Sequence, residues 1–143
     1  MKVLKKILLG TGLLLGLFLL LALLLPGSYH VERSVVISRP SSYVYPHVAN
    51  LHNWAAWNPW TASDPSVKNV ISGPGHEIGS VWSWQGDAVG VGTLTIQELM
   101  PEQRIVSRLA FVEPQMFESD DMWTFEETAG GTKVTWINEG SLS

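Results

Sequence analysis

Cysteine is absent from this chain, which removes disulfides, thiol nucleophiles and thiolate metal sites at once. A domain of this size folds without such staples, so the absence says little about compartment. Basic residues are scarce beyond residue 28: Arg33, Arg39, Lys68, Arg104, Arg108 and Lys133 stand against all thirteen acidic residues, a formal charge of −7 for that part. Such a balance argues against nucleic acid as a partner, because duplex binding needs a basic footprint on the phosphates. It argues equally against adhesion to anionic lipid headgroups. Catalytic spacings are missing too. His30, His47, His52 and His76 form no i, i+4 pair and no zinc spacing, and neither Gly-x-Ser-x-Gly nor His-Glu-x-x-His occurs. Gly73-x-Gly75 and Gly90-x-Gly92 do not complete a phosphate-binding pattern and read as a turn and a bulge. Glu118, Asp120 and Asp121 gather carboxylates, but strand neighbours point to opposite faces and no Ca²⁺-loop pattern surrounds them, so they read as a solvated strand end. No catalytic residue, metal ligand or cofactor is expected.

What the chain does have, first, is a long apolar run. Ile7 to Leu25 carries a single polar side chain, Thr11, behind Lys2, Lys5 and Lys6 and ahead of Pro26-Gly27. A helix over that run would rise about 28 Å at ~1.5 Å per residue, close to a ~30 Å hydrocarbon core. It exceeds the usual apolar part of a secretion signal, and no Ala-x-Ala site follows. The expectation is a retained anchor over residues 1–28, transmembrane from about 7 to 25. Lysines before the span place the N-terminus inside by a modest bias, giving a single-pass cell-membrane protein whose C-terminal domain is extracytoplasmic.

Residues 29–143 leave room for one small domain. Tyr29 to Ser38 alternates as a strand. Pro40 opens a helix bearing Tyr43, Val44, Val48 and Leu51, within which Pro46 should cause a kink or an early end. Asn50 can cap a second short helix carrying Leu51, Trp54 and Trp57, ended by Asn58-Pro59. Turn chemistry at Gly73-Pro74-Gly75, Gly86-Asp87, Pro101-Glu102, Glu113-Pro114 and Gly130-Gly131 then divides six strands, near 67–72, 79–85, 88–99, 103–112, 118–128 and 132–140. A change of apolar parity between Val91 and Leu94 predicts a bulge near Gly92.

Alternation within these strands puts Trp82, Trp84, Leu94, Ile96, Ile105, Leu109, Phe111, Trp123, Phe125, Val134 and Trp136 on one face. Ser83, Thr93, Thr95, Gln97, Arg104, Arg108, Thr124, Glu126, Lys133 and Thr135 fall on the other. Two short helices can cover only part of the apolar side. Core packing is the plainer account of the seven tryptophans; as a pocket, the candidate ligand contacts are Trp82, Trp84, Leu94, Ile105, Leu109, Phe111, Trp123, Phe125 and Trp136, with Trp57 and Trp60 beside Trp54 packing the helical segment or gating the mouth.

These residues resemble the SRPBCC or START-like helix-grip superfamily, the polyketide cyclase/dehydrase-like proteins, over nearly all of 31–140. The carriers are Val31-Glu32-Arg33-Ser34-Val35-Val36-Ile37, Arg39-Pro40, Asn53-Trp54-Ala55-Ala56-Trp57-Asn58-Pro59-Trp60, Ser72-Gly73-Pro74 and Gly79-Ser80-Val81-Trp82-Ser83-Trp84. Val89-Gly90-Val91-Gly92, Pro101-Glu102-Gln103-Arg104-Ile105 and Gly131-Thr132-Lys133-Val134-Thr135-Trp136 continue the match. The resemblance implies an α+β fold in which a curved antiparallel sheet, with two short helices after its first strand, grips a long C-terminal helix over an apolar cavity. It also implies ligands such as lipids, sterols or polyketides. The chain ends at Ser143, where that helix would begin, so a truncated member is expected. Leaving the face uncovered forfeits about 25 cal/mol per Å² of apolar surface, and self-association or a partner chain is the alternative cover.

Two functions follow. One is membrane-tethered binding or carriage of a hydrophobic small molecule or lipid, with no covalent chemistry. The other is a cyclase/dehydrase-like enzyme acting on a polyketide-like substrate. They differ in whether the apolar face holds a titrating group, and the face assigned above contains none. A structural or regulatory role toward another membrane protein is the third and weaker reading.

Overall fold

The computed structural model describes the backbone of residues 2–23 and 27–141, and the side chains of 5–21 and 27–141. Helix α1 spans Lys2–Leu23. Strand β1 (Ser28–Ile37) precedes α2 (Ser41–Ala49), a 3₁₀ helix (Leu51–Ala56) and α3 (Pro59–Ser63). Then come β2 (Lys68–Ser72), β3 (Val81–Gly86), β4 (Gly90–Met100), β5 (Arg104–Glu113), β6 (Phe117–Thr128) and β7 (Gly131–Ser141). The strands form one antiparallel sheet in the order β1-β7-β6-β5-β4-β3-β2. Five successive hairpins build β2 to β7, and β1 closes on the last strand, pairing Val35 with Val134 and Arg33 with Trp136.

Expectation and structure differ at α1. Its described side chains, Lys5 to Leu21, are all exposed, and among the described residues no helix is long and apolar enough to cross a membrane. This overturns the single-pass membrane localisation and the span over 7–25. The physical reason is length: the uncharged part of the described helix, Ile7 to Leu23, rises about 25 Å at ~1.5 Å per residue, short of a ~30 Å core. Leu24, Leu25 and Pro26, on which the longer span depended, lie outside the described residues.

The helical segment forms for local reasons. Pro40, extended at φ −68°, stands before the first turn of α2, and Pro46 sits inside the helix, which ends three residues later at Ala49. The Asn50 side chain accepts from the His52 N–H at 3.0 Å and so caps the 3₁₀ helix. Asn58-Pro59 was expected only to terminate that helix. It also starts α3, with the Asn58 side chain accepting from the Trp60 N–H at 2.9 Å and Pro59 at the first helical position, where its missing N–H costs nothing.

Two register shifts interrupt the β4–β5 ladder, one between Val91 and Gly92 and one between Ile96 and Glu98. The first is the bulge expected near Gly92; the second has no glycine to announce it. Bulges bend a strand and raise its twist, which lets the sheet curve. Onto the concave side fold α2 and the 3₁₀ helix, and the core lies between: Val44, Val48, Ala49, Leu51 and Trp54 meet Trp82, Trp84, Leu94, Ile96, Ile105, Phe125 and Val134. The Trp54 indole donates to the Val48 carbonyl at 2.8 Å, locking the 3₁₀ helix to α2. On the convex side the charges pair across the ladder, Arg108 with Asp120 at 3.1 Å and Arg104 with Glu98.

Candidate functional site on the concave face

Antiparallel partners directly opposite one another project to the same face. The ladders pair Trp82 with Leu94, Leu94 with Leu109, Ile105 with Trp123, Trp123 with Trp136, and Phe125 with Val134. The residues assigned to one apolar face therefore do share it. They divide by exposure. Trp82, Trp84, Leu94, Ile105 and Phe125 are buried beneath α2 and the 3₁₀ helix, whereas Leu109, Phe111, Trp123 and Trp136 are only partly buried. Trp57 leans over this second group, its ring 5.9 Å from that of Trp123. Trp60 is 54% exposed on α3 and has no ring contact with the others among the described residues.

The rings form a continuous arc. From Tyr29 it passes to Phe117 (5.7 Å between centroids), Phe111 (6.4 Å), Trp84 (5.3 Å), Trp82 (4.9 Å) and Trp54 (5.3 Å). It continues through Trp57 (5.1 Å) and Trp123 (5.9 Å) to Trp136 (6.2 Å). Most pairs are tilted or edge-to-face, the arrangement that ring quadrupoles favour.

Inside the arc is a polar row, of which Asp121 alone was expected in solvent, at a strand end. Ser107 pairs with Asp121, Asp121 with Asn138, and Ser119 with Gly140, so Ser107, Asp121, Asn138 and Ser119 all project from the concave face. Asp121 is only 4% exposed. Its Oδ1 accepts from the Trp136 indole N–H at 2.5 Å and from Asn138 Nδ2 at 3.4 Å, and its Oδ2 accepts from the Trp123 indole N–H at 3.0 Å. A carboxylate beside Nδ2 fixes the amide's orientation. Asn138 Oδ1 is then left to accept the Tyr29 hydroxyl at 2.7 Å, while Nδ2 also reaches Ser119 Oγ at 3.1 Å.

No basic side chain pairs with Asp121 among the described residues. Arg33, on the same face beside Trp136, turns its guanidinium to the Glu32 carbonyl at 2.7 Å. Burial pushes the Asp121 carboxyl above its usual value, and the donors from Trp136, Trp123 and Asn138 oppose that rise without cancelling it. The expectation of a solvated strand end at Glu118, Asp120 and Asp121 is thus wrong for Asp121, and the apolar face does contain a titrating group. The signal was available: Asp121 lies two residues before Trp123 and four before Phe125, which on a strand is the same side. Ser107 between Ile105 and Leu109, and Asn138 after Trp136, follow the same rule.

Two open clefts lie at the sheet's margins. One, about 510 Å³, runs along Ser66, Gln85, Asp87 and Glu113, away from the aromatic arc. The other, about 760 Å³, opens at Tyr29, Ser119 and Gly140 and so adjoins the end of the polar row. Geometry and chemistry together favour the arc and its polar centre as the site, with the second cleft as its flank.

Residues 28–139 match the family described as polyketide cyclase / dehydrase and lipid transport. The chain belongs to that family. Among solved structures it is similar to protein CV1439 from Chromobacterium violaceum, with 19% identity over 82% of this chain and 81% of that one and a TM-score of 0.59. The di-domain ARO/CYC BexL from the BE-7585A biosynthetic pathway shares 20% identity over 82% of this chain and 37% of its own, with a TM-score of 0.62. The Aha1 dimer from Colwellia psychrerythraea shares 15% identity over 76% of this chain and 74% of that one, at 0.57. These likenesses establish the fold, a helix-grip α+β architecture. No curated protein matches.

Proposed function

We propose that residues 29–143 bind a hydrophobic small molecule on the concave face, in the sector bounded by Leu109, Phe111, Trp123, Trp136 and Trp57. The observation that carries this reading is the aromatic arc, whose buried half is core and whose partly exposed half offers rigid apolar surface around one polar centre. Trp82, Trp84, Leu94, Ile105 and Phe125 act as the floor that holds those rings in place. Family membership supports ligands of the lipid or polyketide kind.

Cyclase-like chemistry is the second reading, favoured by Asp121. A buried carboxyl within an apolar site is the type of group that accepts a proton from carbon or oxygen during ring closure or dehydration. Titration of tryptophan emission with fatty acids, sterols and aromatic polyketones tests the first reading. Saturable quenching or a blue shift is expected, and no change with any class would overturn it. Product analysis with a polyketone, repeated in Asp121→Asn, tests the second. Turnover lost in the variant would establish chemistry, and unchanged polyketone in the wild type would leave binding alone.

A further inference from the structure

Every group around Asp121 that bonds to it is a donor. Indole N–H groups can only donate, so Trp123 and Trp136 hold the carboxyl as an acceptor, and Asn138 turns its N–H₂ toward it for the same reason. The two oxygens are not equally used. Oδ1 receives Trp136 and Asn138, while Oδ2 receives Trp123 alone, which leaves one acceptor direction of Oδ2 unfilled by the described residues. Ser107 faces it from β5, Ser119 and Trp123 from β6, Asn138 and Trp136 from β7, and Tyr29 with Arg33 from β1. None of these supplies a cation to the acid, since Arg33 bonds to backbone instead.

We propose that Asp121 is the polar anchor of the concave face, and that its ligand is an apolar ring or chain carrying one hydrogen-bond donor, a hydroxyl or a protonated amine, that bonds to Oδ2. The proposal rests on the binding function argued above and adds the class of ligand. Burial of a carboxyl without a counter-ion is costly, and a charge-assisted bond from the ligand offsets that cost where no side chain does. A ligand offering only lone pairs, such as an ether or a ketone, meets another acceptor and gains nothing. The surrounding rings meet the rest of such a molecule with apolar faces, so affinity for the body and selection for the head are separable.

The full chain is titrated with decanol, decylammonium, decyl methyl ether and methyl octyl ketone, followed by tryptophan emission. At least one of decanol and decylammonium is expected to bind about tenfold tighter than the ether and the ketone, and the tighter of the two tells hydroxyl from ammonium. In Asp121→Asn the ratio of donor-bearing ligand to ether should fall to about one. Circular dichroism establishes whether that variant folds. If it does not, Trp123→Phe, which frees Oδ2 of its protein donor and keeps the acid, should retain or raise the ratio. Ether or ketone binding as tightly as both donors, a ratio that survives in Asp121→Asn, or a ratio lost in Trp123→Phe would each overturn the inference while leaving hydrophobic binding intact. Failure of all four ligands to bind would overturn the binding function with it.

Discussion

The indole N–H of Trp136 reaches Oδ1 of Asp121 at 2.5 Å across the diagonal between β7 and β6. Trp136 itself stands opposite Trp123, whose indole takes the other oxygen. One carboxylate thus orients two adjacent rings of the arc. The acid on the apolar face is therefore part of the aromatic architecture, and its protonation state bears on both stability and recognition.

The sign of the pH effect follows from burial. With its pKa raised above 3.8, Asp121 holds its proton more tightly folded than unfolded. Stability from this group is present at low pH and declines as pH rises through the window between the ordinary and the raised value, then levels off. Asp121→Asn has no such titration. Urea unfolding of both proteins from about pH 4 to about pH 8 should show the stability difference moving in the variant's favour as pH rises. A flat or opposite trend would mean that the donors outweigh burial.

Asp64 carries the reverse prediction. Its carboxyl accepts from Ser66 Oγ at 2.6 Å, from the Ala88 and Val89 N–H groups at 2.8 and 3.1 Å, and from the Ser66 N–H at 2.9 Å. The Ser66 hydroxyl first, and then the Ala88 N–H, hold its pKa down to about 2. The stability it contributes is complete above 3.8 and is lost as pH falls toward about 2. Asp64→Asn should lack that part of the acid limb. Melting curves at closely spaced pH values would show it, and an unchanged acid limb would remove Asp64 from the account.

Much of this architecture was legible in the chain. The strand boundaries followed from glycine and proline turns, the Asn50 cap from its side chain, and the shared face of the tryptophans from period-two alternation. What escaped did so for identifiable reasons. Asp121 was grouped with Glu118 and Asp120 as charge, although its parity matched Trp123. The bulge at Ile96–Glu98 carries no glycine, and Asn58-Pro59 can both end one helix and begin another. How far α2 and the 3₁₀ helix bury one half of the face and leave Leu109, Phe111 and Trp136 partly open is a tertiary fact that strand periodicity does not encode.

Gly92 offers a packing test. It is the cross-strand partner of Trp84, and a Cβ built there would collide with Trp84 Cζ2 and lie 2.8 Å from the Ala110 carbonyl oxygen. The indole lies over a backbone that has no side chain to push it away. Gly92→Ala must displace Trp84 and, through it, Phe111 and Trp82 in the arc, a loss of about 1–3 kcal/mol typical of overpacking. Chemical denaturation would measure it, and a variant as stable as wild type would mean that the bulge absorbs a methyl group.

Trp57 and Trp60, three residues apart and both exposed, separate ligand contact from incidental surface. Trp57 donates its indole N–H to the His47 carbonyl at 3.1 Å and packs against Trp54 and Trp123, so its outer edge borders the open sector. Trp60 follows Pro59 in the first turn of α3, is exposed, and makes no ring contact with the arc among the described residues. Trp60→Ala should change stability by no more than about 0.5 kcal/mol and leave ligand affinity as it was. Trp57→Ala removes one wall of the sector, and apolar ligands should bind about tenfold more weakly, the value of burying some 50 Å² less apolar surface. Isothermal titration with one saturating hydrophobic ligand compares the two directly. Equal losses in both would spread the site onto α3, and no loss in either would move it away from the helical segment, toward the Tyr29 and Phe117 end of the arc.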